Sequence, residues 1–581
     1  MHLHSDLLLK LLAKRGITDE QEIEKFLNPD YERDMYDSFL LRDMERSVSR
    51  LYKAIDNNEK IIIYADYDCD GIPGAVILAD LFKKIKYENY EVYIPERNSE
   101  GYGLNIEAID LFKEKEIKLI ITIDLGITAI AEVELTNSFG IDVIITDHHL
   151  PIKKNPDVKN SPAFALGDIQ AGDPRLLNFS YPDFSLPKAY AILNPKVDEY
   201  PEKMLCGSGV IFKFVQGFLK KYGEHYKINN GWEKWLLDMA GLATLSDMVP
   251  LVGENRTLAY FGLKVFRKSP RLGLQKLLAK MNIDQKHISE DDIGFMVTPR
   301  LNAASRMDSP MRAFEILSTL DEVEAGTLAT HLSKINDERK SIVLGIMKHV
   351  KKVFERREIG EVIVIGDGAW RIGVLGLVAG KIADEYDKVV FVWGKDENDI
   401  IKGSCRSPGS CSVVELMSLA SEHFIDYGGH ELAGGFAVHN DKIHYLEEEL
   451  CKVFKNIKKE NTKEKVAYDI STTLSSVNMK NWKDLELMAP FGLANPKPTF
   501  LFENVNIEKI KKFGKNGSGE HLEIIFSDAT AKNIKAIAFF SNTESFTKNI
   551  NDGGRVNLLA TFDLSRFAGK VELRLRIIDI I

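Results

Sequence analysis

The chain has 581 residues, far beyond the roughly 250 residues at which single hydrophobic cores usually stop growing, so we expect three or four domains. Hydrophobic residues make up 44% and charged residues 28%, a balance that excludes collagenous, disordered and membrane-embedded chains. The net charge of −10 argues against a protein that coats nucleic acid by bulk attraction. It is compatible with a nuclease, because a site for divalent cations gathers carboxylates.

The sequence predicts neither a secretory signal nor paired cysteines. No apolar run approaches the roughly 20 residues that a bilayer span needs, and the segment from Met1 to Asp6 has neither a basic region nor a long apolar region. We therefore expect a cytoplasmic protein. The five cysteines are scattered without a Cys-x-x-Cys pair, which predicts free thiols rather than a zinc ribbon or a disulfide framework.

The first half of the chain predicts short amphipathic helices over residues 1–57, followed by a parallel sheet. Apolar, β-branched runs at 61–65, 117–123 and 142–146 are separated by helical stretches at 75–86 and 106–115, a pattern typical of βαβ units. We predict a doubly wound α/β domain over 58–312. The stretch 151–201, rich in Pro, Asp and Asn, predicts an irregular excursion before a helical segment at 232–245.

The second half begins with connecting helices, predicted over 313–358 from charged and apolar residues that alternate at helical spacing. Strand-like runs at 361–365, 388–393 and 434–438, interleaved with helices, predict a second α/β domain over 359–460. Short strands with Gly and Asn turns predict a small barrel over 461–581. Its aromatic residues could stack on bases, although we expect core packing for most of them: Phe513, Phe539, Phe540 and Phe567.

Acidic and imidazole side chains follow three strands of the predicted parallel sheet. They are Asp66-Tyr67-Asp68-Cys69-Asp70-Gly71, Asp124, and Asp147-His148-His149. A single Asp after a strand is usually a helix N-cap, but several at equivalent strand ends predict convergence in the crevice where open α/β sheets bind ligands. A calcium loop is excluded because the twelfth position counted from Asp66 is Ile77 rather than Glu. The carboxylates suit a hard cation, and imidazole suits Mn²⁺ better than Mg²⁺.

These motifs resemble, in order and context, those of the DHH phosphoesterase family with its associated DHHA1 domain. The segments that carry the resemblance are 66–71, Asp124, 147–151, 246–251, 299–307, 403–407, 428–436, 490–492 and 495–496. The similarity covers roughly residues 40–581 and is to the single-strand-specific exonucleases of the family. It implies an α/β multidomain fold with a parallel-sheet DHH domain, a long connecting helix, an α/β DHHA1 domain and a C-terminal OB-like β-barrel.

The resemblance also assigns roles to individual residues. The implied metal ligands are Asp66, Asp68, Asp70, Asp124, His148 and Asp247, with Asp124 bridging two ions of Mn²⁺ or Mg²⁺ and Asp66 the least secure. The implied catalytic residues are His149, which would contact the scissile phosphate, and Asp147, which would orient the histidines. The implied nucleic-acid-binding residues are Arg97, Arg300, Asn302, Arg306, Ser404, Arg406 and His430; of these, Arg97, Arg306, Ser404 and Arg406 would anchor the 5′ end. A lone Arg would otherwise be read as a solvated surface charge.

The function that the resemblance implies is metal-dependent 5′-to-3′ hydrolysis of single-stranded DNA, in repair and recombination. Single-stranded DNA would be the substrate, with single-strand-binding protein and a helicase as partners. The chain departs from the family at Trp370-Arg371-Ile372-Gly373-Val374, where Trp-His-Pro-Gly-Val is usual, and at Cys69, where Ala is common. Two alternatives stay open: a DHH phosphoesterase for short RNA or cyclic dinucleotides, and a non-catalytic binding protein of the same architecture.

Overall fold

The computed structural model describes residues 4–97, 99–153, 184–429, 431–455, 457, 468–514, 521–567 and 570–581. The chain forms two compact units, one of residues 33–462 and one that joins residues 1–32 to residues 463–581. In the described part of the chain, no helix has the length and apolar character that a membrane crossing requires.

The first 354 residues form a sheet and many helices. In chain order the elements are α1 (Asp6–Lys14), α2 (Glu20–Leu27), α3 (Tyr31–Asp34), α4 (Met44–Asp56), β1 (Ile61–Ala65), α5 (Gly71–Ile85), β2 (Tyr90–Tyr93), α6 (Ile106–Glu114), β3 (Leu119–Ile123), α7 (Ile130–Ser138), β4 (Asp142–Thr146), β5 (Ile152–Lys153), β6 (Phe184–Ser185), β7 (Ala191–Leu193), α8 (Gly207–Tyr222), α9 (Leu237–Ser246), α10 (Gly253–Phe266), α11 (Leu272–Lys280), α12 (Glu290–Asp292), α13 (Thr298–Met307), α14 (Met311–Ser318) and α15 (Glu322–Phe354).

The five-stranded sheet of this region has the order β2-β1-β3-β4-β7, and every neighbouring pair is parallel. All residues of β1 and β3 are buried, as expected for central strands covered by helices on both faces. The predicted parallel sheet is therefore confirmed. Most of the predicted excursion lies outside the described residues, and the helical segment predicted at 232–245 is a short 3₁₀ helix, Trp232–Leu236, followed by α9.

The connection to the second sheet is α15, a single helix of 33 residues. Its N-cap is Asp321, whose carboxylate accepts the backbone N–H groups of Val323 and Glu324. The elements that follow are β8 (Val362–Gly366), α16 (Ile372–Tyr386), β9 (Val389–Lys395), β10 (Ile401–Arg406), α17 (Val413–Leu419), β11 (Phe424–Gly429), β12 (Ala433–Val438) and α18 (Ile443–Phe454). Their sheet has the order β11-β12-β10-β9-β8 and is parallel only between β8 and β9.

The other unit contains the predicted β-rich segment. Its elements are β13 (Ile470–Thr472), α19 (Met479–Glu486), β14 (Phe500–Phe513), β15 (His521–Ser527), β16 (Ile534–Ala538), β17 (Arg555–Phe567) and β18 (Lys570–Ile580). Their sheet has the order β13-β14-β15-β16-β18-β17, and a further pairing of β14 with β17 curls it towards a barrel. The α/β multidomain fold class with an OB-like C-terminal domain is confirmed.

The N-terminal helical region, predicted as one segment over 1–57, is divided between the two units. The buried leucines of α1 and α2 belong to the same hydrophobic core as the inward-facing residues of β14, such as Phe500 and Phe502. These leucines are Leu8, Leu11, Leu12 and Leu27. By contrast, α4 packs on α8 in the unit of residues 33–462. Helices from one end of the chain thus complete a core built at the other end.

Candidate metal and phosphate site

Acidic residues follow three adjacent strands of the parallel sheet, at the edge formed by the carboxyl ends of the strands. Asp66 continues the ladder beyond β1 by donating its backbone N–H to the carbonyl of Ile123, and Asp124 does so beyond β3 by donating to Thr146, at 3.1 and 2.9 Å. Asp147 occupies the equivalent position beyond β4. Because neighbouring strands lie about 4.8 Å apart, the three side chains are within reach of one another.

The backbone of Asp124 has an unusual conformation, and the start of α8 approaches it closely. Its φ of +64° lies in the left-handed region, which non-glycine residues adopt at a cost of about 1–2 kcal/mol. A Cβ on Gly207, the first residue of α8, would lie 2.5 Å from the Cβ of Asp124. The N–H groups of Gly207 and Ser208 donate to the carboxylate of Asp70 at 2.6 and 2.7 Å. The N-terminus of α8 thus helps to bring the carboxylates together.

Three overlapping sets of possible metal ligands lie at this edge. In each set, the ligand atoms are within 4.8 Å of one another: Asp66, Asp68 and Asp124; Asp70, His148 and Asp247; Asp124, His148 and His149. His148 Nε2 lies 3.1 Å from Asp124 Oδ1 and 3.8 Å from an oxygen of Asp247. Since Asp124 and His148 each belong to two sets, the arrangement suits two neighbouring cations.

The buried acids of the site have the chemistry of cation ligands. The Oδ1 atoms of Asp66 and Asp124 are shielded from water and accept no hydrogen bond from any described residue. Burial, and then the charges of neighbouring carboxylates, raise the pKa of both groups well above the ordinary value. The same two causes raise the pKa of Asp70 to about 6. Crowded carboxylates of this kind fit Mg²⁺ or Mn²⁺, whose charge would stabilise their ionised form.

Asp147 lies behind the two histidines and contacts both. Its Oδ1 accepts the backbone N–H groups of His148 and His149 at 2.7 and 3.0 Å and lies 2.8 Å from Nδ1 of His149. Burial alone would raise the pKa of Asp147, but the charges of His149 and His148 and the hydrogen bonds from His149 and the N–H of Ile127 together hold that pKa well below its usual range. Burial acts to lower the pKa of His149, and the charge of Asp147 raises it. The carboxylate therefore fixes the orientation of the His149 ring.

A cluster of arginines adjoins the ligand sets. Burial, and then the nearby charges of Arg97, Arg339 and Arg406, lower the pKa of Arg306 to about 9. Ser404 and Arg406 lie two residues apart on β10, so their side chains point to the same face of the strand. Gly376 of α16 leaves room for them, because a Cβ there would lie 3.0 Å from Arg406 Nη2. Guanidinium groups and a hydroxyl in this arrangement suit a phosphate.

Three of the predicted nucleic-acid-binding residues are not part of these groups. Arg300 and Asn302 lie on the first half of α13, and Arg300 donates from Nη1 to the carbonyl of Met296 at 2.7 Å. His430 lies outside the described residues. Of the predicted set, only Arg306 at the far end of α13 reaches the arginine cluster from that helix.

Tyr102 is a neighbour of the site that sequence analysis did not assign. Its hydroxyl lies 3.2 Å from Nδ1 of His149 and donates to the carbonyl of Asp124 at 3.1 Å. The sequence feature that could have pointed to Tyr102 is its position in the segment Arg97-x-x-x-Gly101-Tyr102-Gly103, shortly after a predicted phosphate-binding arginine and next to two glycines. The supporting role of Gly207 and Ser208 had no comparable signal, because it depends on a close approach that only the folded chain shows.

Three family models match the chain in the order expected from the motifs. The N-terminal domain of the DHH family matches residues 60–169, the DHHA1 domain matches 359–460, and the RecJ OB domain matches 468–579. Among solved structures, RecJ in complex with Mn²⁺ from Thermus thermophilus aligns with a TM-score of 0.77 at 22% identity, over 99% of this chain and 75% of that chain. This likeness establishes the fold. An exonuclease RecJ bound to manganese aligns with a TM-score of 0.60 at 25% identity, over 73% and 97% of the two chains.

Curated relatives extend the similarity along the whole sequence. The single-stranded-DNA-specific exonuclease RecJ of Bacillus subtilis (strain 168) is 30% identical over 578 residues, 99% of this chain and 67% of the relative. The protein of the same name from Escherichia coli (strain K12) is 31% identical over 456 residues, 75% of this chain and 72% of the relative. Identity at this level, together with three family models matched in order along the chain, shows that this chain belongs to the RecJ family of exonucleases.

Proposed function

We propose that the chain is a metal-dependent 5′-to-3′ exonuclease that hydrolyses phosphodiester bonds of single-stranded DNA, in repair and recombination. The observation that carries the proposal is the sharing of Asp124 between two ligand sets, beside a cluster of three arginines. The names of the relatives support single-stranded DNA as the substrate. The site residues of this chain support metal-dependent hydrolysis and its 5′-to-3′ direction.

The residues that would hold the metals are the buried acids and one imidazole of the site. We assign this role to Asp66, Asp68, Asp70, Asp124, His148 and Asp247, with two ions of Mn²⁺ or Mg²⁺. When bound, two such cations would supply a hydroxide nucleophile and would neutralise the charge that develops on the phosphate during hydrolysis. The buried Oδ1 atoms of Asp66 and Asp124 support this assignment, since neither accepts a hydrogen bond from a described residue and a cation would balance their charge.

His149 and Asp147 would act on the substrate phosphate. Because Asp147 occupies Nδ1 of His149, the Nε2 atom is the ring nitrogen left to face the scissile phosphate. The carboxylate of Asp147 favours the imidazolium form of His149, which can donate a charge-assisted hydrogen bond to a phosphate oxygen. The Tyr102 hydroxyl, 3.2 Å from the same Nδ1 atom, would help to keep the ring in that orientation.

The direction of hydrolysis would follow from the arginine cluster. A 5′-terminal phosphate bound by Arg97, Arg306 and Arg406, with Ser404 beside them, would place the first diester bond over the metal ligands. A 3′ end carries no terminal phosphate for this cluster to bind. Degradation would therefore start at the 5′ end.

The OB domain would capture the strand. Phe513, Phe539 and Phe540 surround His521, and all three phenylalanines are exposed, Phe540 by 83%. Our expectation that most of the aromatic residues would pack in the core was wrong for these three; the side chain of Phe567 lies outside the described residues. An exposed aromatic group with Arg576 over the Phe539 ring provides the stacking surface on which single-stranded bases bind.

The test is an assay on single strands labelled at either end, with Mn²⁺ or Mg²⁺. We expect metal-dependent release of mononucleotides from the 5′ end, and Arg406→Ala should weaken binding of a 5′-phosphorylated strand by about 1.5–3 kcal/mol, with a much smaller effect on a 5′-hydroxyl strand. Lys348→Ala, an exposed charge on α15, is the control. Degradation from the 3′ end, or equal losses on both strands, would contradict the assignment.

The same assay separates the alternative functions. Preference for short RNA or cyclic dinucleotides over long strands would indicate another DHH phosphoesterase, and tight binding without turnover would indicate a binding protein. As a DNA exonuclease the chain would work in the cytoplasm. Single-strand-binding protein and a helicase, expected as partners from the family resemblance, stay a prediction that co-purification can test.

A further inference from the structure

The π-helical turn Ile293–Val297, which directly precedes α13, presents a large aromatic side chain to solvent. Phe295 of this turn is 73% exposed, and a Cβ added to the neighbouring Gly294 would meet only open space. The face of the turn that carries Phe295 is therefore accessible to a ligand from outside. π-Helical turns are rare in proteins and are frequent at functional sites.

A hydrogen bond links this turn to the metal site. Thr298, the residue after the turn, shares a hydroxyl–hydroxyl hydrogen bond of 2.6 Å with Ser246, which directly precedes the proposed metal ligand Asp247. The turn also packs against α9, which ends at Ser246. Phe295 lies three residues before Thr298, so the two Cβ atoms are roughly 5–6 Å apart. Phe295 thus borders the metal site on the side of Asp247.

Met248 exposes a second large apolar side chain on the same side. It follows Asp247 directly, is 69% exposed and has a left-handed backbone, with φ of +57°. A non-glycine residue adopts this conformation at a cost in energy, and such residues cluster at active sites and ligand clamps. One exposed apolar residue needs no explanation, but two beside the same metal ligand indicate a place where an apolar group binds. We call Phe295 and Met248 the apolar rim.

We propose that the apolar rim binds a nucleobase of the substrate strand on the 3′ side of the cut bond. The inference rests on the proposed function and adds a subsite to it. A strand whose first diester lies at the metals must place its next bases beside them, and an aromatic ring can stack on any base.

The direction of α13 indicates which side of the cut bond the rim serves. The helix begins at Thr298, beside the rim, and carries Arg306 of the 5′-phosphate cluster eight residues later, about 12 Å along its axis. The 5′ phosphate and the rim are therefore at opposite ends of α13. A base at the rim would belong to the part of the strand that follows the first nucleotide.

Charge favours a base over a phosphate at the rim. The short helix α12 directly precedes the π-helical turn and lies against it, and its three residues are Glu290, Asp291 and Asp292. These carboxylates would repel a phosphate group, whereas a neutral base meets no such repulsion. The rim would therefore contact the face of a base and leave the phosphates to the cations and the arginines.

The test compares Phe295→Ala with Tyr445→Ala, a comparably exposed aromatic residue of α18 at 64% exposure, in the metal-loaded enzyme. We expect Phe295→Ala to lower kcat/KM for a 5′-phosphorylated strand by about 5- to 150-fold, the range for loss of one base–aromatic stack. Phe295→Trp keeps a stacking ring and should retain the wild-type value, as should Tyr445→Ala. An unchanged kcat/KM for Phe295→Ala would overturn the subsite.

Strands that lack a base separate a contact with the base from a structural role. A tetrahydrofuran residue keeps the phosphates of a nucleotide and removes its base. When the second and third nucleotides are abasic, the difference between wild type and Phe295→Ala should vanish, and it should persist when only the first nucleotide is abasic. Equal losses on all strands would show that Phe295 acts on the fold or on the metals. That result, or a difference that vanishes only with the first nucleotide abasic, would overturn the proposal.

The variant Met248→Asn tests the other residue of the rim. Asparagine tolerates a left-handed backbone better than methionine, so the melting temperature should stay unchanged or rise. The kcat/KM for a strand with all its bases should fall several-fold, while the Mn²⁺ concentration for half-maximal rate stays the same. A higher Mn²⁺ requirement, or an equal fall on the abasic strands, would show that Met248 acts through Asp247 and would overturn its place in the subsite.

Binding measurements separate the subsite from the proposed activity. Fluorescence anisotropy with phosphorothioate strands, which keep their charge and resist hydrolysis, reports the rim even if the wild-type enzyme cleaves no strand. A base-dependent effect of Phe295→Ala without cleavage would overturn the exonuclease and keep the subsite. Normal cleavage without that effect would do the reverse. Size-exclusion chromatography tests another occupant, a second copy of this chain: a dimer that Phe295→Ala abolishes would overturn the base subsite.

Discussion

Asp147 is 1% exposed and accepts four hydrogen bonds, three at Oδ1 and one at Oδ2 from the N–H of Ile127. Asp147→Asn would turn an amide N–H₂ towards a donor, so we expect kcat to fall about 10- to 100-fold through misorientation of His149. The KM for strand should change much less. Asp142→Asn, at the opposite end of β4 and paired with Arg50 at 2.6 Å, is the control. Unchanged kcat for Asp147→Asn would remove the carboxylate from catalysis.

Glu202 provides a pH dependence that is independent of the metal site. Burial, and then the charge of Glu254, raise the pKa of Glu202 from 4.5 to about 7, although the N–H of Met204 acts in the other direction. A carboxyl whose pKa is raised on folding stabilises the protein fully below pH 4.5, and this contribution is lost as pH rises to about 7. Above that pH, ionised Glu202 lowers the free energy of unfolding by up to about 3 kcal/mol.

Glu202→Gln should therefore raise the free energy of unfolding at pH 8 and leave it unchanged near pH 4.5. Urea titrations at a series of pH values measure the difference. The exposed Glu199→Gln is the control and should show no such trend. A gain in stability at low pH that vanishes at high pH would have the opposite sign and would contradict the assignment.

The N-terminus of α8 can be tested with two glycines of the same helix. Gly207→Ala would place a methyl group 2.7 Å from Asp124 Oδ1, so α8 must move away from the acids that it holds. We expect kcat to fall about 10- to 100-fold and the Mn²⁺ concentration for half-maximal rate to rise. Gly209→Ala meets its nearest atom at 3.6 Å and should keep activity, with a gain of about 0.5–1 kcal/mol from helix propensity. Equal behaviour of the two variants would contradict the argument.

The elements that sequence predicted well are those with a strong local pattern. The β-branched runs that became β1, β3 and β4 are buried on both faces, and their acids stand at equivalent ends because parallel strands share one direction. The features that the sequence did not predict, such as the exposure of Phe540, depend on turns and on contacts between residues far apart in the chain. Phe540 has a left-handed backbone, with φ of +54°, after β16, and hydrophobicity alone does not show that such a turn exposes its ring.

Because residues 1–32 and 463–581 form one unit, a truncation that removes the OB domain should remove residues 1–32 as well. Removal of residues after 462 alone would expose Leu8, Leu11, Leu12 and Leu27, so we expect an aggregating protein. A fragment of residues 33–462 should instead stay free of aggregates and keep metal-dependent cleavage, with weaker capture of long strands because the OB domain is gone. Size-exclusion chromatography and the KM for long strands test both fragments. A monomeric, fully active chain that ends at 462 would show that the leucines of α1 and α2 need no cover.

The shared core of α1, α2 and the β-rich segment also bears on synthesis. A ribosome makes the helices first and their partner strands about 430 residues later, which takes roughly 20 to 90 seconds at about 5–20 residues per second. Throughout that interval Leu8, Leu11, Leu12 and Leu27 have no β-rich core to pack against, while the unit of residues 33–462 can already fold. The last segment to be synthesised thus covers the apolar face of the first. A nascent chain that stops early exposes the leucines of α1 and α2, and cellular quality control can recognise such an exposed apolar surface.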